Sequence, residues 1–233
     1  MPRFKYPLST RTAFKWLPLW DRVVFVDWYG VLSKDQFWGG ILGNKKHRFN
    51  RRLAEAVRKL FDESSGMTER WMKGYIDSRQ VIDYLDLPIH GKHSQQYWHR
   101  ALLKSCKNMR CNSLITCELT SLAREGVFLV LATDNMDCFF QTVDGIENLD
   151  ALFDCVLCSS RLGVLKGEDP ERFFGDWLRV NGFQPNQALL LDDSEANCHA
   201  FEKMGGTAKL VNNPEDAVLI LRELRKKIAS SRK

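Results

Sequence analysis

Polar side chains follow four apolar segments of the sequence, near the points where those segments end. They belong to Asp27, Thr133, Lys166 and the adjacent pair Asp192 and Asp193. A carboxylate can act as a nucleophile, a hydroxyl and an ammonium can hold an anion, and paired carboxylates can bind a divalent cation. If the fold brings these groups together, the sequence indicates a catalytic site that includes a metal ion.

The segments that position these side chains predict a parallel sheet. Apolar, strand-like runs recur at 23–26, 127–132, 155–158, 188–191 and 208–211, and helix-length segments separate them. This alternation is typical of the α/β class, with a doubly wound parallel sheet, and uniformly apolar strands agree with helices on both faces. Ligands bind such sheets beyond the carboxyl ends of the strands, so we expect the polar side chains to meet at one edge.

One interval interrupts the alternation of strands and helices. From about residue 45 to residue 112 the patterns are helical, and Asp77 or Ser78 is expected to cap one of the helices. We therefore expect an all-helical second domain at 45–112, inserted after the first strand. The core domain would then consist of residues 1–44 and 113–233.

The two parts of the chain differ in charge. Residues 45–110 contain 15 Lys and Arg against 7 Asp and Glu, a net charge of +8, whereas the remainder contains 19 against 22, a net charge of −3. A basic insert over an acidic core suggests that an anionic small molecule is drawn between them. Nucleic acid is not an expected partner because the sequence has no nucleic-acid-binding motif. The oligomeric state does not follow from the sequence.

Composition predicts a globular protein of the cytoplasm. No apolar run approaches the roughly 18 residues of a membrane span, and the segment FKWLPLW is too short and too aromatic for a signal peptide. The seven cysteines include a Cys-x-x-C formed by Cys155 and Cys158. Because these two lie in a strand-like segment, we expect them to point to opposite faces as buried thiols rather than to bind a metal.

The order of the motifs resembles the haloacid dehalogenase (HAD) superfamily over about residues 22–212. The resemblance depends on four motifs, which in chain order are Asp27-x-x-Gly30, Thr133, Lys166, and Asp192-Asp193 with Asn197. It implies the doubly wound core of that superfamily, and it identifies the helical insert as the cap domain.

The resemblance implies a nucleophile and a metal site. Asp27 would attack the substrate and form a covalent aspartyl intermediate. A Mg²⁺ ion would be bound by Asp27, Asp192 and Asp193 and by the backbone carbonyl of Tyr29. Without this cation, the carboxylate of Asp27 would repel an anionic phosphate.

The resemblance also implies the groups that bind the substrate. Thr133 and Lys166 would hold the phosphate oxygens and stabilise charge in the transition state. The further substrate-binding residues would be Tyr29, Gly30, Asp134 and Asn135. Tyr29 departs from the phosphatases of the superfamily, which have a second aspartate there. That aspartate protonates the leaving group and activates water, which usually accelerates the reaction by roughly 10²–10⁴-fold.

Two other branches of the superfamily also lack this aspartate, and the segment DWYG resembles both. Haloacid dehalogenases have Asp-x-Tyr-Gly, but they need no metal, and Val31 and Phe173 stand where they have a threonine and a tyrosine. Phosphonoacetaldehyde hydrolases have Asp-Trp-x-Gly and use a Schiff-base lysine of the cap. The available cap lysines, none in a matching sequence context, are Lys45, Lys46, Lys59 and Lys73.

The sequence therefore favours a Mg²⁺-dependent hydrolase of a phosphorylated small molecule. Cleavage of a carbon–halogen or carbon–phosphorus bond remains an alternative. A third possibility is a catalytically weak protein that binds a ligand or a protein partner. The sequence does not name the substrate.

Overall fold

The computed structural model describes residues 23–62, 66–85, 87, 94–146 and 149–230. Residues 1–22, which belong to the predicted core domain, lie outside these ranges. Within them, no helix combines the length and the apolar character that crossing a membrane requires.

The centre of the structure is a sheet of five parallel strands. The strands are β1 (Val23–Val26), β2 (Phe128–Thr133), β3 (Cys155–Cys158), β4 (Ala188–Asp192) and β5 (Thr207–Leu210). Their order across the sheet is β3-β2-β1-β4-β5, and every pairing is parallel. The predicted α/β class and parallel sheet are confirmed, and each strand end lies within one residue of the end of the corresponding apolar run.

Helices follow the strands and fill the interval between β1 and β2. Those between β1 and β2 are α1 (Gly39–Leu42), α2 (Asn50–Leu60), α3 (Met67–Met72), α4 (Ser78–Tyr84), α5 (Ser94–Lys107) and α6 (Ser113–Arg124). The later ones are α7 (Asp137–Thr142), α8 (Leu149–Leu152), α9 (Ser159–Leu162), α10 (Asp176–Val180), α11 (Glu195–Lys203) and α12 (Pro214–Ser230). Short 3-10 helices span Val143–Gly145 and Pro185–Gln187, and a π-helix spans Glu171–Gly175.

Both faces of the sheet are covered, as its apolar strands predict. On one face Val24 and Val26 belong to a hydrophobic cluster that also contains buried residues of α6 and α12. On the other face Phe25 belongs to a second cluster, with aromatic residues of the π-helix, α10 and α11. Cys155 and Cys158 fall in different clusters, which confirms that these buried thiols point to opposite faces.

The inserted segment is helical, and no strand occurs in the described part of 45–112. Asp77 caps α4, since its side chain accepts hydrogen bonds from the backbone amides of Arg79 and Gln80. The buried side chains of the insert, such as Trp71 and Trp98, belong to the same hydrophobic cluster as one face of the sheet. A single cluster therefore extends across both parts, and the division into two domains remains a prediction.

The order of the strands determines where polar side chains meet. β1 lies between β2 and β4. From β1 the chain adds β2 and β3 on one side of the sheet, and it then crosses to the other side to add β4 and β5. Val26 pairs with Leu131 on one side and with Leu191 on the other. The residues after these positions, Asp27 and Asp192, therefore emerge side by side at the switch in strand order, where parallel sheets bind ligands.

Candidate active site

Three charged side chains meet at the carboxyl end of the sheet. Asp27 follows β1, Asp192 ends β4, and Lys166 lies in the loop after α9. The Nζ atom of Lys166 lies 2.8 Å from Oδ1 of Asp27 and 2.5 Å from Oδ2 of Asp192. All three side chains are buried, and a low local dielectric strengthens such ion pairs. The structure thus brings together the predicted nucleophile, the predicted lysine and the first of the paired aspartates.

Burial governs the protonation of this cluster. It raises the pKa of Asp27 to about 7, a shift that Lys166 opposes and Asp192 increases. Burial also disfavours the ammonium form of Lys166, but the carboxylates of Asp27, Asp192 and Asp134 outweigh that effect and raise the pKa of Lys166. Lys166 is therefore a stable cation, whereas Asp27 needs a further positive charge nearby to be fully ionised at neutral pH.

Asp193 completes a group of three carboxylates. One oxygen from each of Asp27, Asp192 and Asp193 lies within 4.8 Å of the other two. Burial and the adjacent Asp192 raise the pKa of Asp193, as expected for carboxylates that repel one another. Three carboxyl groups thus lie close to the ammonium group of Lys166, and a donor set made only of oxygen atoms is the kind that Mg²⁺ prefers. The residues therefore fit a Mg²⁺ ion.

The turn after β1 leaves room for Asp193. Gly30 has a φ of 88°, and a Cβ atom at this position would overlap the carboxylate of Asp193. The amide of Gly30 donates to the carbonyl of Ser33 (2.9 Å), and the amide of Ser33 donates to the carbonyl of Trp28 (2.8 Å). These turn bonds do not use the carbonyl of Tyr29, whose role as a metal ligand remains a prediction.

The turn after β4 fixes the carboxylate of Asp192. Its Oδ1 atom accepts hydrogen bonds from the backbone amide of Ser194 (2.9 Å) and from Nδ2 of Asn197 (3.1 Å). Ser194, rather than either aspartate, caps α11 with its side chain. With Oδ2 bound to Lys166, both oxygens of Asp192 are oriented by neighbouring groups.

The loop after β2 holds Thr133, Asp134 and Asn135 close to these charges. Oδ1 of Asp134 accepts a hydrogen bond from the backbone amide of Lys166 (3.0 Å), and burial raises the pKa of Asp134. The side chain of Asn135 donates to Oγ1 of Thr133 (3.4 Å) and accepts from the amide of Met136 (2.9 Å). The amide group of Asn135 therefore organises the loop as well as facing the site.

A cavity of about 390 Å³ lies over the strand ends, between the loops of the sheet and the insert. Its wall includes Tyr29, Asp134 and Asn135 from the strand ends and Val57, Phe61 and Met72 from the insert. Tyr29 is 50% exposed, so its phenol ring forms part of the wall instead of packing in the core. Three of the four predicted substrate-binding residues line this cavity, while Gly30 packs on Asp193.

The positive charge of the insert lies elsewhere. Among the described residues that line the cavity there is no lysine, arginine or histidine. Basic side chains instead border a separate open groove of about 1040 Å³ beside α5, to which His47, Arg100, Lys104 and Arg110 contribute. The cation at the strand ends is thus Lys166, and attraction of an anionic substrate by the insert remains a prediction.

Two polar anchors of the insert were not found by the sequence analysis. Oδ1 of Asp137 accepts hydrogen bonds from Nε1 of Trp71 (2.7 Å) and from Oγ of Ser78 (2.5 Å). The hydroxyl of Ser159 donates to the backbone carbonyl of Met72 (2.7 Å). Asp137 and Ser159 begin the helices that follow β2 and β3, so a wider search of polar residues near strand ends would have included both.

Lys73 forms a third link between the insert and the core. Its Nζ atom lies 2.6 Å from a carboxylate oxygen of Glu69 and 2.7 Å from one of Glu168, two residues after Lys166. Hydrogen bonds to Glu168 and Glu69 raise the pKa of Lys73 above its ordinary value. A paired, charged ammonium does not supply the neutral amine that a Schiff base requires, which argues against Lys73 in that role.

The fold is similar to that of solved HAD-like hydrolases. A predicted HAD-like family hydrolase from Porphyromonas gingivalis matches with a TM-score of 0.63 and 19% sequence identity, over 88% of this chain and 98% of that chain. A HAD family enzyme from Bacteroides thetaiotaomicron, in complex with magnesium and inorganic phosphate, matches with a TM-score of 0.56 and 16% identity, over 81% of this chain and 92% of that chain.

A third similar structure is a dehalogenase. The 2-haloacid dehalogenase from Pseudomonas syringae pv. Tomato DC3000 matches with a TM-score of 0.55 and 19% identity, over 80% of this chain and 84% of that chain. No protein-family model matches the chain, and no curated protein matches its sequence. The chain therefore has the HAD-like fold that its motifs predicted, and the fold by itself does not distinguish phosphate from halide chemistry.

Proposed function

We propose that this protein is a Mg²⁺-dependent hydrolase that cleaves phosphate esters of small molecules through a covalent intermediate on Asp27. The observation that carries the proposal is the group of three carboxylates, Asp27, Asp192 and Asp193, beside the ammonium of Lys166. A nucleophilic carboxylate and an anionic phosphate repel each other, and excess carboxylates around the nucleophile make a cation site necessary. A reaction that attacks carbon and expels halide as an anion brings no phosphate dianion to Asp27, so it would not need these extra carboxylates.

Mg²⁺ would be held by oxygens of Asp27, Asp192 and Asp193, and when bound it would supply the positive charge that lets a phosphate approach Asp27. The chain's own groups account for the remaining interactions. The ammonium of Lys166 orients Asp27 at 2.8 Å and offers positive charge to the phosphate oxygens. The hydroxyl of Thr133, at the adjacent strand end, would donate a hydrogen bond to the same phosphate.

The reaction itself consists of two displacements. A carboxylate oxygen of Asp27 forms a bond to phosphorus while the bond from phosphorus to the leaving oxygen breaks, and the electron pair leaves with that oxygen. Water then attacks the phosphorus of the aspartyl phosphate, which releases inorganic phosphate and restores the carboxylate. Because Tyr29 stands where other phosphatases of the fold carry an aspartate, a leaving group that is stable as an anion would react fastest.

Tyr29 also supports a second candidate function, cleavage of carbon–halogen bonds. Halide leaves without a proton, and the phenol of Tyr29 faces a cavity whose other wall is largely apolar. The paired aspartates favour the phosphate reaction over this alternative, since halide chemistry gives them no evident use.

A substrate screen with and without Mg²⁺ tests the proposal. The panel consists of nitrophenyl and alkyl phosphates, phosphonates and 2-haloacids, each assayed in millimolar Mg²⁺ and in excess EDTA. The proposal requires turnover of phosphate esters that depends on Mg²⁺. Turnover of 2-haloacids that is indifferent to EDTA would replace it with the second candidate.

A further inference from the structure

The wall of the cavity over the strand ends indicates which leaving groups the cavity can accommodate. Of the thirteen described residues that line it, eight have hydrocarbon, aromatic or sulfur-containing side chains, which are Trp28, Phe37, Leu42, Val57, Phe61, Met72, Met109 and Met136. A volume of about 390 Å³ lies near the lower end of the roughly 300–1,000 Å³ typical of small-molecule sites. The cavity thus suits a compact group rather than a large, extended one.

Polar atoms form only a small part of the surface that the wall exposes, and three of its five polar side chains already have hydrogen bonds within the protein. Oδ1 of Asp134 accepts the amide of Lys166, and the amide group of Asn135 bonds within its own loop. Oδ2 of Asp35 accepts the backbone amide of Arg110 at 2.7 Å. The hydroxyl groups of a sugar or polyol would therefore lose water on entering the cavity and regain few hydrogen bonds, which is costly.

We infer that the substrate is a phosphate monoester whose leaving group is compact and mainly hydrocarbon, such as an aryl or a cycloalkyl group, and is not a sugar or polyol. This inference depends on the proposed function, since it places the phosphate at Asp27 and Lys166. The hydrocarbon then extends past Tyr29 toward Phe61 and Val57 of α2 and its C-terminal end. The basic side chains of the groove beside α5 have no part in this recognition, because none of them lines the cavity.

The experiment compares two esters that share a six-membered ring, cyclohexyl phosphate and a myo-inositol monophosphate, in Mg²⁺. The hydroxyls of inositol make it the better leaving group, so reactivity alone favours the inositol ester. The cavity predicts the opposite, a kcat/KM for cyclohexyl phosphate higher by at least about tenfold. Equal or faster turnover of the inositol ester would overturn the inference.

Phe61→Ser tests the wall directly, because Phe61 is 43% exposed and its removal leaves the core intact. The variant should lower the preference for cyclohexyl phosphate by about threefold or more. The matched control is Leu219→Ser on α12, where an exposed leucine outside the cavity is exchanged. A preference that is unchanged in Phe61→Ser, or that falls equally in both variants, would contradict the inferred contact.

Measurements of binding distinguish a failure of this inference from a failure of the proposed function. Calorimetric titration of Asp27→Asn with each ester in Mg²⁺ measures how tightly the ester binds in the cavity, even if no phosphate ester is turned over. Absence of turnover of nitrophenyl phosphate by the unchanged protein would reject the proposed function alone. Tighter binding of the inositol ester to Asp27→Asn would reject the inferred substrate class, whatever the turnover.

Discussion

Gly30 and Asp193 fit together so closely that the turn after β1 has no room for a side chain opposite the carboxylate that follows β4. Gly30 also has a φ of 88°, a backbone conformation that side chains disfavour. The glycine of the first motif and the second aspartate of the fourth motif are therefore parts of one arrangement. The side chain that Gly30 lacks would displace a proposed ligand of Mg²⁺.

Gly30→Ala is therefore expected to raise the Mg²⁺ concentration needed for half-maximal activity by about tenfold or more, because Asp193 must move. The control is Gly182→Ala, which has a φ of 75° and open space around its Cβ position. Gly182→Ala introduces a backbone strain similar to that of Gly30→Ala, but it introduces no overlap with a neighbouring side chain. If both variants show the same Mg²⁺ requirement, the carboxylate of Asp193 is not a ligand.

Mg²⁺ should stabilise the folded protein, since it neutralises carboxylates that repel one another. At a concentration 100 times Kd the expected gain is roughly 2.7 kcal/mol, or roughly 5–10 °C in Tm for a chain of this length. Asp193→Asn should lose most of this gain, whereas Asp176→Asn, which changes an exposed carboxylate of α10, should keep it. Thermal unfolding with and without Mg²⁺ measures the effect, and equal gains in both variants would exclude Asp193 from the site.

The absence of a carboxylate at residue 29 should make the rate of turnover depend steeply on the pKa of the leaving group. A nitrophenol leaves readily as an anion, whereas an alcohol needs a proton from the enzyme. Tyr29→Asp should therefore raise turnover of alkyl phosphates by about tenfold or more and change that of nitrophenyl phosphate little. Tyr29→Phe serves as the control for loss of the phenol. Equal losses on both esters in Tyr29→Asp would mean that Tyr29 shapes the cavity and that the natural reaction needs no acid there.

Asp137 should hold the insert in place over the strand ends. Asp137→Ala leaves the donors of Trp71 and Ser78 without their acceptor, and we expect a loss of about 1–3 kcal/mol in the free energy of unfolding. It should also raise KM, because Met72 of the same helix as Trp71 lines the cavity. Asp137→Asn retains an oxygen acceptor and should be milder in both measurements. Denaturant unfolding measures the free energy of unfolding, and steady-state kinetics measures KM. An unchanged free energy of unfolding in Asp137→Ala would contradict the proposal that Asp137 holds the insert.

The strand ends were predictable because two simple rules suffice to place them. Short apolar runs locate the strands, and parallel pairing brings their carboxyl ends to one edge. Asp27 and Asp192 accordingly emerge side by side, and Lys166, from the loop after α9, contacts both as the sequence indicated. That Asp192 and Asp193 differ, one buried on Lys166 and the other more exposed beside Gly30, depends on the path of the backbone after β4 and has no sequence signal.

The arrangement of the insert was less predictable because it depends on contacts between distant residues. Asp137 lies 66 residues from Trp71 in the chain, and no local pattern links them. The positive charge of the insert suggested attraction of an anion into the cavity, but a net charge does not reveal which face of a helix carries it. Arg100 and Lys104 border the separate groove instead.

The proposal that Asp27 is the nucleophile is tested most directly by identifying the phosphorylated residue. The protein is mixed with nitrophenyl phosphate and Mg²⁺, quenched in acid during turnover, digested and analysed by mass spectrometry. The account predicts a phosphoryl group on Asp27, absent when EDTA replaces Mg²⁺. It also predicts that Asp27→Asn, checked for deamidation, retains less than about 1% of turnover. A phosphoryl group on another residue, or turnover by Asp27→Asn above that level, would contradict the account.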